Sequence, residues 1–224
     1  MKLYTYPASP GCRPIAMFIA DHGLKVEEQI VDLMQGEQYG PAFTAINPNN
    51  AVPVLQDGDF ILPECSAILK YLADLAGSPT YPKALKARAR VNAAMDWVNT
   101  SLYPAFGHNL CYPQVLPQAK WEDDTAQSLA LSKGQTRSRK LLGVMNDSML
   151  GGKNDYLCGD ALSIADYQAS GILSMGELTS CDFSPWPQVQ TWYRRMEAMP
   201  NWQSANAGLY AWAKHTQGHE YVRV

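Results

Sequence analysis

The rhythm of apolar and polar positions changes several times along the chain. Residues 2–6, KLYTY, read as a short strand, and residues 12–22 then take helical spacing, with Ile15, Ala16, Phe18 and Ile19 on the inner side. Gly23 suits the position that ends that helix. Residues 25–31 read as a second strand, followed by a polar loop around Gly36 and Gly40. Val52-Pro53-Val54-Leu55 and Phe60-Ile61-Leu62 flank Asp57-Gly58, a hairpin turn signal. Pro53 cannot donate to a strand ladder, and a cis proline in a tight turn is one reason for it to stand there. Ala67, Ile68, Tyr71, Leu72 and Leu75 then recur at helical spacing. That order places Glu64-Cys65-Ser66 at a helix start, where free backbone N–H groups and the positive dipole end favour anions.

Gly77-Ser78-Pro79-Thr80-Tyr81-Pro82 breaks this pattern, and the composition shifts after it. The expected organisation is an α/β domain over residues 1–77, a linker over 78–83 and an all-α domain over 84–224. One helix is predicted from about residue 84 past Trp97, another from about 122 to 150. Ser163 and Asp166 have the spacing of a capping box, with Leu162 and Tyr167 spaced as its hydrophobic staple. A cap contributes about 1 kcal/mol, so Asp166 reads as structural rather than catalytic. The predicted helices over 186–198 and 201–213 bring Trp186, Trp192, Trp202 and Trp212, which read as packing residues.

With 224 residues, 46% of them hydrophobic, the chain can bury one large core or two small ones. A net charge of −3 with scattered Lys and Arg argues against nucleic-acid binding. No run of about 18 apolar residues predicts a membrane span, and the N-terminus lacks the apolar core of a signal peptide. The five cysteines are far apart and form no CxxC pair. A reduced, cytoplasmic chain without a metal site is the expectation.

The stretch NPNNAVPVLQDGDFILPECSAILKYL, residues 47–72, resembles the glutathione-binding half of a glutathione transferase. That family shows a Val-Pro pair, a hairpin and then Glu-Ser-x-Ala-Ile; here the last element is Glu64-Cys65-Ser66-Ala67-Ile68, with Cys65 in the serine position. The order of elements before it resembles a thioredoxin fold, and the Ser163–Asp166 cap occurs in the family's helical domain. Ser9-Pro10-Gly11-Cys12-Arg13 resembles the Ser-x-x-Cys-Arg of the theta and delta branches. The resemblance implies a thioredoxin-like domain followed by an all-helical one, and glutathione as co-substrate with no further cofactor. It also implies conjugation to small hydrophobic or halogenated electrophiles in detoxification, and a homodimer.

By position, the resemblance implies that Ser9 is catalytic. A thiol pKa two units below its ordinary value needs about 2.7 kcal/mol of preferential thiolate stabilisation. A hydroxyl donating to charged sulfur supplies about 1.5–3 kcal/mol, and a helix N-terminus about 0.3–1 kcal/mol more. Cys12 is the alternative: near the start of a helix and beside Arg13, it could exchange disulfides with glutathione in an oxidoreductase. A third reading is a non-catalytic ligand-binding protein on the same fold. The resemblance assigns the backbone of Val52, before Pro53, to the cysteinyl part of glutathione, and Glu64 and Cys65 to the γ-glutamyl end. It assigns Gln38 and Asn50 to the glycyl carboxylate. The related enzymes often carry cationic residues there, so these neutral ones weaken the hold. Tyr103, Phe106, Tyr112 and Trp121 are the candidates for the electrophile site, between the two halves.

Overall fold

In the computed structural model, which describes residues 1–224, the N-terminal alternation becomes a four-stranded sheet. Its strands are β1 (Lys2–Thr5), β2 (Glu27–Ile30), β3 (Val54–Asp57) and β4 (Phe60–Pro63), in the order β2-β1-β3-β4. β1 runs parallel to β2 and antiparallel to β3, with Leu3 opposite Leu55 and Leu55 opposite Leu62. The first crossover uses α1 (Arg13–Asp21), the second the short α2 (Pro41–Thr44), and α3 (Cys65–Leu75) follows the hairpin. Asp57 closes β3 opposite Phe60, so the hairpin turns at Gly58-Asp59, one residue later than the Asp57-Gly58 signal, with Gly58 at φ +63°. The Val52–Pro53 peptide is cis. This thioredoxin-like unit is followed by helices alone.

α4 (Leu85–Trp97) continues past Trp97, as expected. It winds on through Val98–Cys111 in wider i→i+5 turns and returns to α-helix in α5 (Tyr112–Val115). Pro104 lies inside this stretch, where it removes one N–H from the ladder. α6 (Asp124–Val144) likewise continues in wide turns to Leu150. α7 (Ile164–Leu173) is buried at every position and packs against α1, α3 and α4. A 3₁₀ segment, Ser174–Thr179, follows it, then α8 (Pro187–Glu197), α9 (Trp202–Ala205) and α10 (Ala207–Thr216). The continuous helix predicted over 201–213 is instead broken at Asn206. The Asn206 side chain is engaged on both sides: Nδ2 donates to Trp202 O at 2.9 Å and Oδ1 accepts from Arg13.

One apolar core runs through both halves, from Leu3, Ile15 and Phe18 to Tyr167 and Trp192. The Ser163–Asp166 cap forms as predicted, and more is built on it. The Asp166 carboxylate accepts from Ser163 N at 2.9 Å, Ser163 Oγ at 2.7 Å, Leu157 N at 2.9 Å and Trp192 Nε1 at 2.9 Å. No helix is long and apolar enough to cross a membrane.

Two glycines let the loop after β1 settle between helices. A Cβ on Gly171 of α7 would lie 2.7 Å from Pro10 O and would also meet the Pro14 ring; one on Gly208 of α10 would lie 2.7 Å from the Pro7 backbone. Only a residue without a side chain allows both approaches. Residues 7–10 are thereby gripped from two sides.

Candidate functional site

The gripped loop ends in Ser9. Its carbonyl accepts the N–H groups of Cys12 and Arg13, each at 3.1 Å, so Ser9 stands at the N-terminal end of α1. Two clefts meet there, and both are lined by Ser9 and Pro10. The first, of ≈ 290 Å³, lies over the edge of the hairpin and includes Gly11, Val52, Pro53, Glu64, Cys65 and Tyr103. The second, of ≈ 370 Å³, is mostly apolar and includes Leu33, Met34, Tyr112, Leu116, Trp212 and His215.

The structure therefore brings together Ser9, Val52, Pro53, Glu64 and Cys65 in one cleft, with Tyr103 on its helical-domain side. Glu64 adopts φ +75°, a conformation that costs a non-glycine residue about 1–3 kcal/mol and that concentrates at functional sites. It places the carboxylate in solvent at the start of α3, beside the free amides of the first turn. Burial pushes the Cys65 thiol far up, so it is a neutral lining group. Gln38 and Asn50 are placed elsewhere. Gln38 is buried in the 3₁₀ turn Glu37–Tyr39, and Asn50 Oδ1 accepts from Thr44 Oγ1 at 2.8 Å; neither lines the cleft.

Of the expected electrophile residues, Tyr112 lines the second cleft, and its hydroxyl lies 3.2 Å from that of Tyr103 in the first. Two expectations are corrected. Phe106 is fully buried against Phe183 in the core, because it falls on the inward face of the wide-turn helix. Trp121 is 50% exposed on the loop before α6 and lines neither cleft. Trp212, expected as packing, lines the second cleft instead.

Cys12 points away from both clefts. It is 1% exposed and borders a separate hollow with Thr5, Tyr6 and Glu28. Burial raises its pKa and outweighs the Ser9, Tyr6 and Thr5 hydrogen bonds that lower it. Its neighbour Arg13 is buried without a carboxylate. It donates to Ser174 Oγ at 2.7 Å, to Gly171 O at 3.0 Å and to Asn206 Oδ1, and burial lowers its pKa to about 10.

Sequence reasoning missed Asn99 and Gln168, which line the first cleft from the helical domain. Gln168 Nε2 donates to Asn99 Oδ1, and Asn99 Nδ2 donates to Ser66 Oγ at 3.3 Å, linking α7 to the first turn of α3. The only signal in the sequence was the polarity of Gln168 within a helix whose other strongly polar residue, Asp166, is taken by the cap.

Comparisons with known proteins give the family of the chain. The family model for the glutathione S-transferase N-terminal domain matches residues 3–80, and that for the C-terminal domain matches residues 102–200. Glutathione S-transferase theta-3 of Mus musculus is 32% identical over 205 residues, which cover 88% of this chain and 82% of that one. Glutathione S-transferase theta-1 of Homo sapiens is 33% identical over 201 residues, with the same two coverages. The structure of a delta-class glutathione transferase from Nilaparvata lugens superposes with a TM-score of 0.80 at 28% identity, covering 96% of this chain and 98% of the other. With both halves matched in order and with theta relatives along most of its length, the chain belongs to the glutathione S-transferase family.

Proposed function

We propose that Ser9 holds the sulfur of glutathione as a thiolate and that the protein transfers it to small, largely apolar electrophiles, halogenated ones included. Transferase activity with glutathione as co-substrate comes with the family. The residue roles and the electrophile are the added reading. The observation that carries it is that Ser9 and Pro10 border both clefts, so a sulfur held at Ser9 faces whatever occupies the apolar one.

In this reading glutathione lies along the hairpin edge. The Val52 backbone pairs with its cysteinyl part, as an added strand would. The first amides of α3 take the γ-glutamyl carboxylate, and Glu64 its ammonium. The Ser9 hydroxyl donates to sulfur and favours the thiolate by about 1.5–3 kcal/mol, with a smaller contribution from the N-terminus of α1. The thiolate then attacks the electrophilic carbon in the second cleft, between Tyr112 and Trp212, and the leaving group departs with the bonding pair. The reading also includes a homodimer, to be checked by light scattering, and a detoxifying role in the cytoplasm.

The test is Ser9→Ala beside Cys12→Ala. Ser9→Ala should lower kcat/KM by about 10–100-fold, matching the loss of about 1.5–3 kcal/mol, and should raise the pKa of the bound thiol measured by its ultraviolet absorbance. Cys12→Ala should leave that pKa in place. If the bound thiol ionises as before in Ser9→Ala, the role given to Ser9 is wrong.

A further inference from the structure

Cys111 ends the wide-turn segment that continues α4, and Cys181 lies just beyond the 3₁₀ segment after α7. Packing brings the two thiols together. Thr179 Oγ1 lies 3.9 Å from Cys111 Sγ and 3.3 Å from Cys181 Sγ, so one hydroxyl bridges the two thiols. Cys111 is fully buried, whereas Cys181 is partly exposed. Neither borders the two clefts that meet at Ser9.

The segment after α10 lies across this pair. Gln114 holds it by both amide atoms, donating from Nε2 to Val222 O at 3.0 Å and accepting the Val222 N–H on Oε1 at 2.8 Å. Gln135 Nε2 donates to Arg223 O at 2.6 Å. These bonds hold the Val224 backbone and the Arg223 charge near Cys181. Cys181 Sγ thus lies beside the Thr179 hydroxyl and near a cation, an environment that favours a thiolate. The neighbouring Cys111 thiol, the Thr179 hydroxyl and this positive end of the chain bring its pKa below the ordinary value, while burial pushes the Cys111 thiol well up. One sulfur is prepared to attack, and the other keeps its proton until it is needed.

We infer that Cys111 and Cys181 form a redox site that closes as a disulfide by exchange with glutathione disulfide and reopens with glutathione. The Cys181 thiolate attacks one sulfur of glutathione disulfide, whose S–S bond breaks, and one glutathione thiolate leaves. Cys111 then attacks Cys181 Sγ, breaks the mixed disulfide, and its proton goes with the second departing glutathione. The two cysteines are oxidised, and one glutathione disulfide is reduced to two glutathione molecules.

The experiment treats the full chain with defined ratios of glutathione disulfide to glutathione, quenches in acid, alkylates under denaturing conditions and maps peptides by mass spectrometry. Wild type should lose alkylation at Cys111 and Cys181 together, with a linked peptide lighter by two hydrogens. Cys111→Ser should stop at the first step and carry one glutathionyl group on Cys181. Cys111→Ala should give the same adduct, which guards against a fold effect of the new hydroxyl. In Cys181→Ser, Cys111 should stay alkylatable. The inference is overturned if Cys181 in wild type remains free in excess glutathione disulfide, or if neither Cys111 variant holds an adduct there. It is equally overturned if Cys111 oxidises without Cys181.

Discussion

Arg13 on α1 donates to Ser174 Oγ across 2.7 Å, joining the sheet domain to the 3₁₀ segment that follows α7. The same guanidinium reaches Asn206 and the Gly171 carbonyl, so one side chain sets the angle at which α1, and with it Ser9, meets the helical domain. Arg13→Lys keeps a buried charge but loses the planar fork that serves several acceptors. It should lower stability by about 3 kcal/mol, read from the urea midpoint. Arg13→Met should cost less, because it removes the buried charge, and Gly171 O still accepts from Ser174 Oγ at 3.0 Å. A lysine variant more stable than the methionine variant would refute the account.

Asp166 makes a separate prediction about structure without chemistry. Asn in its place offers one acceptor oxygen where the carboxylate offers two, and turns an amide N–H₂ toward the donors of Ser163 or of Leu157 and Trp192. Asp166→Asn should lose about 2–4 kcal/mol of stability. At temperatures where the variant stays folded, its KM for glutathione should match wild type, since the carboxylate borders neither cleft. A changed KM with unchanged stability would assign Asp166 to the site.

What the sequence made legible was local. The hairpin around Gly58, the helix start at Glu64-Cys65-Ser66 and the cap at Ser163–Asp166 are written within a few neighbouring residues, and each is present, the hairpin turning at Gly58-Asp59, one residue past its signal. What it hid depends on distant packing. Phe106 and Tyr112 both belong to one aromatic stretch, yet the wide turns of their helix send Phe106 into the core and Tyr112 to a cleft. The break at Asn206 answers to Arg13, a partner no window around residue 206 contains. Gln38 and Asn50 lie in the expected loop, but Gln38 is buried in its 3₁₀ turn and the Asn50 side chain turns to Thr44.

The grip on the Ser9 loop can be tested with two glycines of opposite character. Gly171→Ala puts a methyl group 2.7 Å from Pro10 O, so either α7 or the loop must shift. It should cost about 1–3 kcal/mol and lower kcat/KM beyond what unfolding explains. Gly143 in α6 has open space around its Cβ position, so Gly143→Ala should stabilise by about 0.5–1 kcal/mol through helix propensity and leave kinetics unchanged. Equal kinetics in the two variants would show that the loop tolerates displacement.

The second cleft should report on Trp212. Its ring borders that cleft together with Leu33, Met34 and Tyr112, and it does not line the hairpin cleft. Loss of part of a buried aromatic contact removes about 1–2 kcal/mol of apolar binding. Trp212→Ala should therefore raise KM for an apolar electrophile by about 5–30-fold while KM for glutathione stays unchanged. Phe106→Leu supplies the contrast: it should lower stability by about 1 kcal/mol as a core substitution and leave both KM values alone. A rise in KM for glutathione in Trp212→Ala would mean that the two clefts are one site, and a rise for the electrophile in Phe106→Leu would move the electrophile toward the core.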